Sequence, residues 1–124
     1  MTTFALFITQ SPTQANATHA LRFCRATYAS GNKVAQVFFY GDGTLLTLDA
    51  DGDNTELARI QQQWLALAQE HGFKLCVCPT AGEKRGLCDQ EGNARFNYAQ
   101  GFFPTGMMDY FATLKSPEVI GVQF

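Results

Sequence analysis

The sequence predicts a single-domain α/β sandwich of three layers, in which helices flank a mainly parallel sheet of four or five strands, as in flavodoxin-like folds. Short apolar runs rich in β-branched and aromatic residues alternate with segments of helical periodicity. The first strand, helix and strand together occupy residues 4–40, a spacing typical of a parallel βαβ unit. We find no linker, internal repeat or low-complexity segment in the 124 residues, so we expect one domain, 1–124.

The first half of the chain supplies two strands and the helix between them. The apolar run of residues 4–8 predicts a buried strand. A helix follows, because apolar side chains then recur on one helical face, and Gly31 ends it. That face consists of Ala17, Ala20, Leu21, Cys24 and Tyr28. Residues 34–40 predict the second strand, and Gly41-Asp42-Gly43 turns the chain at its end.

A second helix and a third strand come next. Asp53 followed by Glu56 has the spacing of a capping box, so the helix is expected to begin near Asp53. Gly72 ends it. Residues 73–78 form the third strand, which ends where Pro79 removes a backbone hydrogen-bond donor.

The last part of the chain is predicted to form a helical segment, a brief strand, a last helix and a final strand. A helical segment is expected over residues 89–98, and Phe102-Phe103 suggests a brief strand. Thr105 is positioned to cap a last helix that runs to about Lys115. Residues 119–124 then form the final strand.

Composition and charge narrow the possible partners. Charged residues make up 16% of the chain, below the roughly 25% of soluble domains, and 11 residues are phenylalanine. This combination indicates an apolar surface that a partner subunit covers. The net charge of −2 and the absence of a basic stripe argue against direct nucleic-acid binding. No apolar run is long enough to span a membrane. The N-terminus lacks the pattern of a signal peptide, so we expect a cytoplasmic protein with reduced cysteines.

The candidate motifs for metal and cofactor binding are incomplete, so we expect no cofactor. A zinc site would need Cys76, Cys78 and Cys88 as ligands, but their spacing is not that of a zinc clip. We expect Cys76 and Cys78 to face opposite sides of the third strand, which would keep them from binding one ion. The acidic stretch 49–54 lacks the glycine and glutamate of a calcium loop, and no phosphate-binding glycine motif is present.

Cys78 is the residue of greatest chemical interest. It ends a parallel strand, the position at which α/β folds place reactive groups, whereas Cys24 and Cys76 are expected in the core. The loop that follows carries Lys84 and Arg85, and nearby cations favour a thiolate. We therefore expect an exposed thiol suited to exchange at sulfur, for example as a persulfide carrier. Tyr40 and Asp42, at the end of the second strand, either line the same mouth or are simply an aromatic at its rim and a turn residue.

These motifs together resemble the DsrE/TusD family of small sulfurtransferase subunits. The resemblance covers nearly the full length. Its most specific part is Cys78 followed by Lys84-Arg85-Gly86, together with the second-strand end FFYGDG. Further matching segments are HALRFCRA, CPTAGEKRG, GFFPTGM and VQF. The loop 11–16 looks shorter than the family's usual loop and lacks its tyrosine.

The resemblance implies a function and an assembly. In this family the cysteine that matches Cys78 accepts sulfane sulfur as a persulfide, and Lys84 and Arg85 would stabilise its thiolate and persulfide. Members of the TusD type relay sulfur between donor and acceptor proteins toward 2-thiouridine at the tRNA wobble position, in a hexamer with two homologous subunits. Members of the DsrE type act in dissimilatory sulfur oxidation. A scaffold homo-oligomer in which Cys78 has no role remains open, as does a nucleotide-binding module.

Overall fold

A parallel sheet forms the centre of the structure, a computed structural model that describes residues 1–11, 18–48, 55–79 and 99–124. Within these residues the sheet has five strands: β1 (Thr3–Ile8), β2 (Lys33–Phe39), β3 (Lys74–Val77), β4 (Phe102–Pro104) and β5 (Val119–Gln123). In the same ranges lie the helices α1 (His19–Ala29), α2 (Thr55–His71) and α3 (Met107–Leu114), and a 3₁₀ segment covers Gly41–Thr47. The predicted α/β fold is confirmed.

The strand order explains why the molecule has three layers. The order is β4-β3-β2-β1-β5, and every pairing is parallel. The chain moves outward from β1 to β4 and then returns across the sheet to β5. Because crossovers between parallel strands are right-handed, the outward and return connections lie on opposite faces. Accordingly α1 and α2 pack on one face and α3 on the other. β1 lies between β2 and β5, whereas in flavodoxin it lies between β2 and β3.

The face of the sheet that carries α1 and α2 holds the larger core. Leu21 of α1 and Trp64 of α2 are fully buried there. The Trp64 ring meets Phe39 of β2 edge to face at a centroid distance of 5.8 Å, and Phe39 meets Phe102 of β4 in the same way at 5.5 Å. The Trp64–Phe39 contact thus places α2 against β2, the middle strand of the five.

The opposite face carries a smaller core, which we call the α3-face cluster. Its buried members are Ala5, Phe38, Cys76, Cys78 and Tyr110. Its partly buried members are Phe7, Tyr40, Met107, Leu114 and Val119. The Tyr110 hydroxyl donates a hydrogen bond to the carbonyl oxygen of Ala5 at 3.2 Å, so the one polar atom of this ring has a partner.

An irregularity in β2 sets which side chains face α3. Consecutive residues of β1 pair with Val34 and Gln36, so Ala35 is skipped as in a β-bulge. Gln36 is buried, and its Oε1 accepts a hydrogen bond from the Thr113 hydroxyl of α3 at 3.1 Å. Thr113 and Tyr110 thus attach α3 to the central strands by two hydrogen bonds.

The predicted turn after β2 is part of a longer 3₁₀ segment. Two buried threonine hydroxyls, of Thr44 and Thr47, each donate to the carbonyl oxygen three residues earlier, at 2.8 and 2.6 Å. Gln61 of α2 donates through Nε2 to the carbonyl oxygen of Leu46 at 2.8 Å. The segment is therefore stabilised by its own side chains and by α2, which a turn prediction from Gly41-Asp42-Gly43 does not include.

The helix limits differ from the predictions at one described position. Gly106, not Thr105, is the N-cap of α3, and it makes no side-chain capping bond. The proposed capping residue Asp53 and the predicted helical segment 89–98 lie outside the described residues. Among the helices in the described ranges, none has the length and apolar character needed to cross a membrane.

Candidate active site

Three adjacent parallel strands end at the same edge of the sheet and bring three residues together there. Tyr40 follows β2, Cys78 follows β3 and Thr105 follows β4. Their backbone N–H groups extend the ladder. Tyr40 donates to Ile8 at 2.8 Å, Cys78 to Phe39 at 3.0 Å and Thr105 to Val77 at 2.9 Å. Cys78 is therefore flanked by Tyr40 on one side and Thr105 on the other, at the edge where α/β folds place ligands.

The backbone position of Cys78 follows from its sequence neighbours. Leu75 and Val77 point into the larger core, so the residues between and after them face α3. Pro79 has no N–H to continue the ladder. Cys78 is thus the last residue of this strand to donate a ladder hydrogen bond, and its side chain lies on the α3 face.

The expectation of an exposed Cys78 thiol is wrong. Its side chain is 3% exposed. It belongs to the α3-face cluster together with Phe38 of β2 and Tyr110 of α3, with Tyr40 and Met107 packed against it. The end of the strand is covered on this face by α3, which comes later in the chain and is not indicated by any pattern near Cys78.

The expectation that Cys76 and Cys78 face opposite sides is also wrong. Both belong to the α3-face cluster, because side chains two residues apart on a strand point to the same face. Strand alternation therefore does not keep the two thiols from binding one ion. No group of three potential metal ligands occurs within the described residues, and Cys88 lies outside them.

Tyr40 belongs to an aromatic array beside Cys78. Its ring stacks on Phe7 at a centroid distance of 5.3 Å, and Phe7 stacks in turn on Phe38 at 5.8 Å. Phe7 also contacts Tyr110 at 5.3 Å. This array forms an apolar wall for the Cys78 side chain across β1 and β2.

Asp42 lies at the same edge of the sheet. It is exposed and stands in the first turn of the 3₁₀ segment, where a negative charge is favourable. The next residue, Gly43, is in close contact with the end of β1, since a Cβ atom there would collide with the Ile8 carbonyl oxygen. The backbone next to Asp42 is thus held against the sheet edge. Lys84 and Arg85 lie outside the described residues.

Cys24 is the contrasting cysteine on the other face of the sheet. It is fully buried in α1 within the larger core, as predicted. Burial raises the pKa of Cys24 from 9.0 to about 11, and the nearby charge of Arg25 offsets part of that rise. Cys24 is therefore a neutral packing residue near neutral pH.

Two neighbours of Cys78 were not predicted as part of the site. Thr105 was interpreted as a helix cap, but its N–H bonds to β3 and its hydroxyl donates to the Phe103 carbonyl oxygen at 3.4 Å. Met107 at the start of α3 packs against the α3-face cluster. The rule that selected Cys78, a position directly after a parallel strand, would also have selected Thr105. No comparable signal marked Met107.

Comparison with known proteins identifies the family. A model of the DsrE/DsrF-like family matches residues 1–116. The chain belongs to this family. The match covers β1 to β4 and the residues on both sides of Cys78, and it ends before β5.

Several proteins similar in sequence to this chain are named sulfurtransferases. A sulfurtransferase TusD of Serratia proteamaculans is 37% identical over 100 residues, which cover 73% of this chain and 74% of the relative. A sulfurtransferase TusD of Buchnera aphidicola is 30% identical and covers 88% of each. A putative sulfurtransferase DsrE of Allochromatium vinosum is 35% identical and covers 76% of this chain and 72% of the relative.

Solved structures agree with the fold. The ychN protein from E. coli superposes with a TM-score of 0.73 at 15% identity, covering all of both chains. A protein of unknown function from Methanobacterium thermoautotrophicum superposes with a TM-score of 0.65 at 11% identity, also over both full chains. At these identities the superpositions establish the shared architecture.

Proposed function

We propose that this chain is a sulfurtransferase that carries sulfane sulfur as a persulfide on Cys78 and passes it to a protein acceptor. The observation that supports the proposal most directly is the position of Cys78 at the carboxyl end of β3, in a chain with relatives named sulfurtransferase. A strand end between Tyr40 and Thr105 is a position at which a partner's reactive group could approach the thiol.

The proposed reaction needs a thiolate and no cofactor. The Cys78 thiolate attacks the terminal sulfur of a donor persulfide, the donor's S–S bond breaks, and the donor leaves as a thiolate. Cys78 then holds the extra sulfur in a new S–S bond. In the second step an acceptor thiolate attacks that terminal sulfur and Cys78 is released. No electrons are gained or lost overall.

The charged and aromatic neighbours have separate proposed roles. Lys84 and Arg85 supply positive charge that stabilises the thiolate and the persulfide anion. Tyr40, which stacks on Phe7, forms part of the apolar wall beside the Cys78 thiol. Asp42, exposed at the same edge, is assigned to the mouth of the site, where it would face an approaching partner.

Burial of Cys78 suits a carrier. A side chain that is 3% exposed meets a donor only when neighbouring side chains move aside. Between transfers the same packing shields the persulfide from water and small thiols.

We assign the protein to the cytoplasm, where thiols stay reduced.

We place sulfur relay toward tRNA wobble 2-thiouridine, the role that resemblance to TusD-type members implies, ahead of dissimilatory sulfur oxidation. Relatives from three bacteria carry the name TusD, at 30–37% identity. The DsrE-named relative from Allochromatium vinosum, at 35% identity, keeps sulfur oxidation as the second candidate.

An apolar surface next to the site supports assembly with a homologous subunit, either a second copy or a related chain. Met108 and Phe111 of α3 are 80% and 49% exposed, and Phe103 of β4 is 60% exposed. Phe103 pairs with Cys76 across the sheet, so it lies on the α3 face. An exposed apolar helix surface of this kind is typical of a subunit contact.

The proposed activity is tested by loading the protein with sulfur. Wild type is incubated with a cysteine desulfurase and cysteine, and intact mass is measured before and after reduction. We expect a gain of one sulfur atom that reduction removes, and no gain in Cys78→Ser. Cys24→Ser is the matched control, because it removes a buried thiol on the other face and should still load. An unchanged gain in Cys78→Ser, or no gain in wild type, would contradict the proposal.

A further inference from the structure

Cys76 is a buried thiol with no part in the function proposed above. It is 2% exposed and shares the α3-face cluster with Cys78, two residues away on the same strand. It pairs with Phe38 of β2 and with Phe103 of β4, so it lies further from the carboxyl edge of the sheet than Cys78 does. A second thiol is therefore present along the same face, deeper in the molecule.

The geometry of the strand determines which bonds can form between these two thiols. At a rise of about 3.3 Å per residue, their Cα atoms lie roughly 6.6 Å apart. Disulfides usually join Cα atoms about 4.4–6.8 Å apart, so this spacing is near the upper limit, and the strand directs both Cβ atoms in parallel rather than toward each other. The direct disulfide is disfavoured. A persulfide on Cys78 adds a further S–S bond of about 2 Å, which extends the reach of its terminal sulfur along the face toward Cys76.

We propose that Cys76 is a second sulfur-accepting thiol, which takes the sulfane sulfur from the Cys78 persulfide and returns it. This inference rests on the proposed function of Cys78. The Cys76 sulfur attacks the terminal sulfur, the S–S bond to Cys78 breaks, and a new S–S bond forms on Cys76. The proton of the Cys76 thiol passes to the Cys78 sulfur. The exchange consumes no oxidant or reductant, since a persulfide and a thiol are present before and after.

The transfer moves sulfur away from the edge at which partners approach. On Cys76 the sulfane sulfur lies beneath α3, beside Phe38. On Cys78 it lies between Tyr40 and Thr105 at the strand ends. Cys76 is thus a holding position, and Cys78 the position for receipt and delivery.

Sulfur localisation in the wild-type protein tests the proposal without a substitution. The protein is loaded with inorganic polysulfide, quenched in acid and digested, and fragment masses assign the added sulfur to Cys76 or Cys78. We expect a fraction on each. In Cys78→Ser, sulfur on Cys76 should fall to background, because Cys76 is filled through Cys78. Cys24→Ala, on the other face, should leave both fractions unchanged.

Two further variants address the holding role. Cys76→Ser and Cys76→Ala should still load Cys78 but lose that sulfur to added cyanide several-fold faster than wild type, with thermal unfolding confirming that each variant is folded. Sulfur on Cys78 with none on Cys76 would overturn this inference alone. A Cys76–Cys78 disulfide with release of sulfide would overturn it too, since the sulfur would be lost. Failure of Cys78 to load in wild type would overturn both this inference and the proposed function.

Discussion

At the scale of single residues, position distinguishes three cysteines that are all buried. Cys24 sits on a helix in the larger core, and burial raises its pKa to about 11. Cys76 and Cys78 lie on a strand under α3. Cys78 is the one next to the sheet edge, where the neighbouring strands end and a partner can approach. Burial alone therefore does not separate a packing thiol from a candidate reactive thiol.

Cys24 makes a prediction about alkaline pH. Its pKa is higher in the folded protein than its ordinary value of 9.0, so the folded state holds the proton more tightly. This contribution to stability is complete below pH 9 and is lost as the pH rises toward 11. Across that range we expect the free energy of unfolding to fall by on the order of 2 kcal/mol more in wild type than in Cys24→Ala. Urea unfolding at several pH values measures it.

The control for this prediction is Leu21→Ala. It weakens the packing of the same helix without removing a titratable group. It should keep the steep wild-type fall of stability at alkaline pH. Equal pH slopes in wild type and Cys24→Ala would contradict the assignment.

At the scale of elements, sequence periodicity predicted the positions of strands and helices, which depend on local sequence. It did not predict contacts between segments that are far apart in the chain. Apolar runs and helical stripes located the strands and helices within the described residues, since burial patterns are written along each element. The burial of Cys78 could not be predicted in this way, because it depends on Tyr110, which bonds to β1 across a separation of 105 residues. Strand alternation already places Cys76 and Cys78 on the same face, since they are two residues apart, so the prediction of opposite faces was an error that the sequence did not force. The 3₁₀ segment needed Gln61 of α2, which no local signal indicated.

The 3₁₀ segment gives a prediction at this scale. A Cβ atom in Gly43→Ala would collide with the backbone carbonyl of Ile8, so either the segment or the end of β1 must shift. We expect the free energy of unfolding to fall by about 1–3 kcal/mol. Because Tyr40 and Asp42 join this segment to the site, sulfur loading of Cys78 should also slow. Chemical unfolding and the mass assay measure the two effects.

Gly106→Ala is the matched control for Gly43→Ala. An added Cβ atom at Gly106 would meet no atom within 4 Å. Its cost should be limited to the weaker N-cap preference of alanine. If both variants were equally stable, the close approach of Gly43 to β1 would not constrain this edge.

At the scale of the whole molecule, the site and the exposed apolar surface lie on one face. The α3-face cluster contains Cys78, and Met108 and Phe111 project from the outer side of the same helix. Phe103 continues the surface on β4, the edge strand next to β3. A subunit that docks on α3 would therefore lie close to the thiol. The low proportion of charged residues, 16%, is consistent with a chain that buries such a surface in an assembly.

The double variant Met108→Ser/Phe111→Ser tests this arrangement. If α3 forms the subunit contact, the pure wild-type chain should sediment above the mass of a single chain, and the variant should shift toward it. Burial of each large apolar side chain contributes about 1.5–3 kcal/mol, so the dissociation constant should rise at least roughly tenfold. Ile120→Ser is the control, since Ile120 is 51% exposed on β5 and pairs with Phe4 of the other face. Sedimentation that changes equally in both variants, or in Ile120→Ser alone, would show that the contact lies elsewhere, and Cys78 would then meet its partners without a neighbouring subunit on α3.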